Sequence, residues 1–325
     1  MDLSSSRILV TGGAGFIGSH VVAELLRSDL KQVVVYDNLT RGKTSNLKES
    51  LDDSRCQIFP DGGDIRDTDV LKRAMEGIDG VVHLAAMWLL HCKDYPRTAF
   101  EVNIGGTFNV LEACVQNGVK RLVYSSSASV YGDAVEVPMT EDHPFNNRNF
   151  YGATKIAGEA MCRAFHDPHG LSYVGLRYMN VYGPYQDQTA AYTGVIPIML
   201  NKIDANETPV INGDGTQAYD FITARDAARC NVLALRAEVV DQFYNVGTGV
   251  QTSIKELCDL ILSLLQSDLT VTYNPYSPED ARRLVQNRIG SPEKASSDLG
   301  FMYEDDLETG LRNLIEWRRQ NLRRQ

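Results

Sequence analysis

The stretch from Arg7 to Asp37 constrains the fold more than any other part of this 325-residue chain. Arg7 to Val10 is a short apolar strand that runs directly into TGGAGFIGSH. Ile17, Val21, Val22, Leu25 and Leu26 then recur at helical spacing, until Ser28 and Asp29 end the pattern. Gln32 to Tyr36 carries the β-branched run VVV and stops at Asp37. Strand, glycine turn, helix and strand in this order make a compact βαβ unit, whose crossover is expected to be right-handed.

The glycines give that unit a chemistry. Gly12, Gly15 and Gly18 form GxxGxxG, and Gly13, Gly15 and Gly18 also satisfy GxGxxG. Between a strand and a helix, glycines let the backbone approach a pyrophosphate, and the free N–H groups of the helix end point at it. Gly18 is better suited to contact between helix and sheet than to the phosphate itself. Asp37, 19 residues beyond Gly18, can accept hydrogen bonds from both ribose hydroxyls of an adenosine. It would repel a 2′-phosphate, which favours NAD, although Arg41 and Lys43 leave the phosphorylated cofactor open. Asp64, in GGDIRD, can bind adenine or cap the next helix, and His83 reads as a packed histidine at a strand end.

The alternation of strands and helices continues. Strands are expected at Cys56 to Pro60, Gly80 to Ala85, Arg121 to Ser125 and Leu171 to Arg177. Helices are expected at Asp67 to Met75, Thr98 to Asn117 and Tyr151 to Phe165, with Pro168 breaking regular geometry just beyond. This is the rhythm of an α/β fold with a Rossmann-type, doubly wound parallel sheet. After about Val181, turn signals at Gly183-Pro184, Gly194, Asn212-Gly213 and Asp214-Gly215 punctuate shorter elements. Asp226 to Leu235, Ser253 to Leu265 and Leu307 to Arg319 still read as helices, the last followed by a basic end with Arg323 and Arg324. Residues 1–180 are therefore read as predominantly the NAD-binding domain. Residues 181–325 are read as predominantly a smaller mixed α/β substrate region, with some segments returning to the main sheet.

Charge and cysteines exclude other classes. With 32 Lys and Arg against 42 Asp and Glu, the net charge of −10 opposes nonspecific nucleic-acid binding. The densest apolar stretch, Val81 to Leu90, is too short to cross a bilayer, so no membrane partner is expected. The amino terminus, MDLSSSRILVTGG, has no basic region ahead of a long apolar one, so no secretion signal is expected. Six scattered cysteines without a CxxC pair read as thiols of a cytoplasmic protein. No ligand set for a metal emerges, and His166 and His169 are not read as one.

Tyr151 and Lys155 stand at i, i+4, so a helix places them on one face. A cationic Lys155 and an oxidised nicotinamide would both favour the Tyr151 phenolate, which could then take a hydroxyl proton while hydride leaves the same carbon. Ser127, at the end of YSSS, can hydrogen-bond to that oxygen. Ser125 and Ser126 can be cap or cofactor contacts.

TGGAGFIG, Asp37-Asn38, GDIRD, HLAA, NIGGTFNVLEA, YSSSASVYG, YGATK and LRYMNVYGP follow one another in unbroken order. In these motifs, over residues 7 to 320, the chain resembles the extended short-chain dehydrogenase/reductase superfamily and its NAD-dependent epimerase/dehydratase family, most of all the nucleotide-sugar 4-epimerases. The resemblance implies a Rossmann domain beside a smaller substrate domain, and catalysis by Ser127, Tyr151 and Lys155. It implies cofactor contacts at Gly12, Gly15, Phe16, Ile17, Gly18, Asp37, Asn38, Asp64 and Ile65. Further contacts are implied at Leu84, Ala85, Ala86, Asn103, Ser125, Tyr151 and Lys155. On the substrate side it points to Met87, Trp88, Ser127, Ser129, Tyr151, Asn180 and Tyr182, of which Trp88 can instead join the core and the last two can instead anchor their turn. A homodimer is implied as well.

Sugar 4,6-dehydratases carry Asp-Glu directly after the catalytic Ser or Thr, and glucuronate decarboxylases carry Glu at the second position. Here those positions are Ala128 and Ser129. The expected activity is therefore C4 epimerisation: transient oxidation, turning of the 4-keto intermediate, and hydride return. Two departures favour an alternative, net dehydrogenation or reduction of another sugar or small alcohol. Tyr219 and Ser277 occupy positions where family arginines hold the substrate diphosphate, and Arg177, Arg282 or Arg283 would have to compensate.

Overall fold

Arg7–Thr11 (β1) and Gln32–Tyr36 (β2) are buried at every residue but the first, as strands covered on both faces must be. The computed structural model describes residues 1–187, 194–276 and 285–322. In chain order its further strands are Cys56–Ile58 (β3), Gly80–His83 (β4), Arg121–Ser127 (β5), Tyr173–Tyr178 (β6), Asn180–Tyr182 (β7) and Val210–Asn212 (β8). Ala218–Tyr219 (β9), Phe221–Thr223 (β10), Gln242–Val246 (β11), Thr252–Ser253 (β12), Thr272–Asn274 (β13) and Asn287–Arg288 (β14) complete them. Seven form one parallel sheet in the order β11-β6-β5-β4-β1-β2-β3. The order reverses between β1 and β4, and such a reversal opens a crevice at the carboxyl ends of those strands.

Strand alternation divides the core between the two faces. Ile8 and Val10 face a core with Val21, Val22 and Leu25, beneath the helices Phe16–Leu26 and Ala224–Arg236. Leu9 and Val34 face the other core, with Leu71, Leu111 and Cys162 from the helices Thr68–Ala74, Thr107–Gln116 and Phe150–His169. The second region gathers helices Val195–Asp204, Ile254–Leu265 and Leu307–Leu322 around a third core that includes Phe221, Leu257 and Leu311. Ala224–Arg236 packs on Phe16–Leu26, and β11 pairs with β6, so both belong to the layers of the main sheet. The short strands β7, β8, β9, β10, β12, β13 and β14 make three smaller sheets.

Two expectations are corrected. The helix expected over 98–117 is three pieces: Pro96–Ala99, a π-helical Phe100–Gly106, and Thr107–Gln116. The wider turn buries both Asn103 and Gly106, and a Cβ at Gly106 would come within 2.5 Å of the Ile65 side chain. Pro168 does not break the helix before it. It sits inside the last turn of Phe150–His169, which Gly170 then closes at φ +66°. All six cysteines are buried and unbridged. No helix among the described residues is long and apolar enough to cross a membrane.

Candidate active site

The β1 turn makes the first half of the site. Gly12 takes φ +72°, donates its N–H to the Tyr36 carbonyl at 2.8 Å, and lies so close to the loop after β4 that a Cβ would approach the Ala85 nitrogen to 2.8 Å. A Cβ at Gly18 would fall 2.1 Å from the Gly12 carbonyl oxygen, so this glycine lets the helix start against its own turn. Gly15 is less crowded, a Cβ there meeting the Gly12 carbonyl oxygen at 3.1 Å, and it precedes Phe16 and Ile17 in a helix whose first turn has no side-chain cap. A helix start with no side-chain cap, entered through a glycine turn, fits a pyrophosphate.

Asp37, at the end of β2, has its two carboxylate oxygens held by the Ala14 and Leu39 N–H groups at 2.9 and 2.8 Å. Burial raises its pKa, and those N–H donors oppose the rise. Sequence reasoning missed the two glycines that make room for it. A Cβ on Gly42 would sit 2.8 Å from the carboxylate, and one on Gly63 would be 2.1 Å from the Asp37 backbone. Asn38 closes a turn onto the Thr40 N–H. Asp64 pairs with Arg66 at 2.6 Å beside a buried Ile65, and the following helix is capped by Asp67 instead. Arg41 does not turn to Asp37: it lies 4.9 Å over the Trp88 ring and 3.6 Å from Asp187.

The loop after β4 closes the crevice. Leu84 and Ala85 donate their N–H groups to the Thr11 backbone and side chain, followed by Ala86 and Met87. Asn103 brackets Met87 by accepting its N–H at 2.7 Å and donating to its carbonyl at 2.9 Å, and it also donates to Thr154. The amide expected at the cofactor thus fastens this loop to the helix that carries Tyr151. His83 is packed, hydrogen-bonded to Thr11 at 2.7 Å and Thr107 at 3.0 Å.

Asn149 caps the helix Phe150–His169 through the Gly152 N–H at 2.8 Å, which fixes the start of the turn bearing Tyr151. Lys155 is 5% exposed, donates to the Ser125 carbonyl at 2.6 Å, and stands 5.7 Å from the Tyr151 ring centre. Burial brings its pKa down to about 8. Burial pushes Tyr151 up to about 12, against a hydrogen bond from Ser127 that favours the phenolate. The Ser127 oxygen also accepts the Ser129 N–H at 3.1 Å. Ser127, Tyr151 and Lys155 therefore converge where β5 ends.

Other predicted residues are placed differently. Ser129 is buried, and Asn180 donates to the Asp220 carbonyl at 3.1 Å. Tyr182 is only 2% exposed within the third core, its hydroxyl on Leu307. Arg177 does not compensate for the missing arginines: it is buried, bonded to both Glu159 oxygens at 2.9 and 2.8 Å and to Tyr131 at 2.8 Å. Glu159 also accepts the Ser126 hydroxyl at 2.5 Å, a supporting role no motif announced. Residues 277–284, with Ser277, Arg282 and Arg283, and 323–325, with Arg323 and Arg324, lie outside the described residues.

Residues 8–247 match the NAD dependent epimerase/dehydratase family. A putative UDP-glucose 4-epimerase of Methanocaldococcus jannaschii is 34% identical over 319 residues, covering 97% of this chain and 99% of that protein. The solved structure of UDP-N-acetylglucosamine 4-epimerase from Methanobrevibacter ruminantium, in complex with UDP-N-acetylmuramic acid, matches at a TM-score of 0.91 and 33% identity, over 98% of this chain and 99% of that one. A dTDP-glucose 4,6-dehydratase from Streptomyces venezuelae, solved with NAD bound, matches at 0.88 and 30% identity, over 97% of each chain. The chain belongs to the NAD-dependent epimerase/dehydratase family and is an NAD-dependent enzyme of the extended short-chain dehydrogenase/reductase type.

Proposed function

We propose that the protein is a nucleotide-sugar 4-epimerase that uses Ser127, Tyr151 and Lys155. One observation carries the choice within the family: Ala128 and Ser129 follow Ser127, both buried, where elimination of water would need acids. The carboxylate on the adjoining helix, Glu159, is already committed to Arg177 and Ser126. The site therefore offers one proton relay, which suits oxidation and reduction at a single carbon.

Bound NAD supplies reversible hydride acceptance at the carbinol carbon. Tyr151 takes the proton of the substrate 4-hydroxyl, and Ser127 holds the same oxygen as it becomes a carbonyl. Lys155 keeps positive charge behind the phenolate. The keto sugar turns in the pocket, and Tyr151 returns the proton after reduction from the other face. The turn at Gly12, Gly15 and Gly18, with Asp37, holds the cofactor. Residues 1–180 serve mainly the cofactor and 181–325 mainly the substrate. The protein works in the cytoplasm as a homodimer without nucleic-acid or membrane partners. Phe100 and Phe108, 47% and 44% exposed, the latter edge-on to Phe165, support pairing through those helices.

The test incubates NAD-loaded protein with a panel of nucleotide sugars and simple sugars, reading product stereochemistry and free NADH together. An epimer without NADH, lost in Tyr151→Phe with NAD content unchanged, is the expected result. Stoichiometric NADH would replace this reading with a dehydrogenase, the activity favoured by Tyr219, which donates to the Val285 carbonyl and supplies no cation.

A further inference from the structure

Each of three buried arginines has strong partners. Arg177 holds Glu159 in two bonds, Arg318 holds Asp204 at 2.5 Å, and Arg121 donates to the Val239 and Ala237 carbonyls. Arg288 differs. Its Nε is sealed from solvent without a hydrogen-bond partner, and Nη2 reaches only the Gly132 carbonyl, at 3.5 Å. It has no ion pair among the described residues. Asp133 lies near, but one of its oxygens already accepts the Gln286 and Asn287 N–H groups at 2.7 and 3.1 Å. Burial lowers the pKa of Arg288, and the nearby Tyr219 and Asp133 only partly oppose that shift.

The position of this cation is informative. Arg288 and Tyr219 are direct partners on the parallel strands β14 and β9, so their side chains share one face. Tyr219 is where family members place a diphosphate-binding arginine. Gly132, at the other end of the Arg288 side chain, closes the loop that begins at Ser127. The register therefore sets a guanidinium with incomplete hydrogen bonds and no ion pair among the described residues beside the vacated position and against the catalytic loop.

We propose that Arg288 receives the diphosphate of the nucleotide-sugar substrate, taking from the neighbouring strand the role that Tyr219 cannot fill. This rests on the nucleotide-sugar reading above. A guanidinium whose protein partners are incomplete is set to take an anion in paired, charge-assisted bonds. The Tyr219 ring, fixed through Val285, forms the wall beside it.

The experiment uses NAD-loaded wild type, Arg288→Gln and Arg288→Lys, titrated calorimetrically with UDP, dTDP, GDP and the parent nucleosides. The matching nucleotide sugar is then turned over. Arg288→Gln is expected to weaken the preferred diphosphate roughly 30-fold or more and to raise KM with kcat little changed, while nucleoside affinity stays within about threefold. Arg288→Lys should fall between. NAD content and the denaturation midpoint without substrate should not drop, because no protein ion pair is lost. Unchanged diphosphate affinity in Arg288→Gln, or a lower midpoint with equal losses for nucleoside and diphosphate, would overturn the assignment and leave the epimerase reading standing. A wild type that binds no diphosphate and converts no nucleotide sugar would overturn both.

Discussion

His83 offers a quantitative test because its protonation state follows from its neighbours. The Thr107 hydroxyl donates to the Asn103 carbonyl at 2.7 Å, so its oxygen accepts from His83 Nε2–H. Nδ1 is then an acceptor for the Thr11 hydroxyl, whose oxygen in turn accepts the Ala85 N–H. A second ring proton has no acceptor. Burial, with the Lys155 cation adding to it, lowers the pKa from 6.5 to about 3. Below pH 6.5 the unfolded chain binds a proton that the native state refuses, so stability falls as pH falls. The slope is up to about 1.4 kcal/mol per pH unit, with about 2 kcal/mol lost between pH 6.5 and 5 and about 4 kcal/mol by pH 3. His83→Gln should cost about 1–3 kcal/mol at pH 7.5 through imperfect hydrogen bonds. It cannot titrate, so its deficit relative to wild type should shrink by about 2 kcal/mol from pH 6.5 to 5. Urea denaturation at each pH measures the difference, in which titrations shared by both proteins cancel. A deficit that stays constant over that range would refute a neutral, proton-refusing His83.

Three further outcomes follow from the site. Lys155→Met removes the cation beside Tyr151 and should move the acid limb of the kcat/KM profile up by about one pH unit or more; an unmoved limb would show that Lys155 does not favour the phenolate. Asp37→Ser should weaken NAD about tenfold and narrow the NAD preference over NADP, read by equilibrium titration of both, because the charge that repels a 2′-phosphate is gone. Arg177→Met strands the Glu159 carboxylate in the core and should cost about 3–5 kcal/mol by denaturant midpoint, whereas Arg177→Met with Glu159→Leu should recover much of that loss; a double variant as weak as the sum of the singles would refute the pairing.

The first βαβ unit was legible because its residues repeat at two periods, 2 for the strands and 3.6 for the helix, with glycines only at the change between them. Tyr151 and Lys155 were legible because four residues is one helical turn. The π-helical segment was not, since its winding differs from an α-helix by about one residue per turn, and a run of mixed apolar residues from 98 to 117 fits both. Its clearest trace is Gly106, whose small size is explained only by Ile65 in a loop distant in sequence. The same holds for Gly42 and Gly63, which matter through Asp37. Arg177 looked available for an anion because a sequence shows its charge but not Glu159, eighteen residues earlier and on a different element.

The three serines that end β5 explain why so much polar material is buried there. The Ser125 hydroxyl joins Tyr178 at 3.1 Å and leaves its carbonyl to Lys155, Ser126 turns to Glu159, and Ser127 turns to Tyr151. Glu159 is i+4 from Lys155, the spacing at which a helix forms its own ion pair. Such a pair would hold the lysine protonated but spend its charge on a carboxylate. Arg177 prevents this by occupying both Glu159 oxygens, so the Lys155 ammonium has a carbonyl as its nearest partner and an unneutralised charge. That charge is what Tyr151 needs, since burial alone drives the phenol away from ionisation. In the proposed mechanism the buried Arg177–Glu159 pair therefore serves the proton relay at one remove: by occupying Glu159 it leaves the Lys155 charge unneutralised near the phenol.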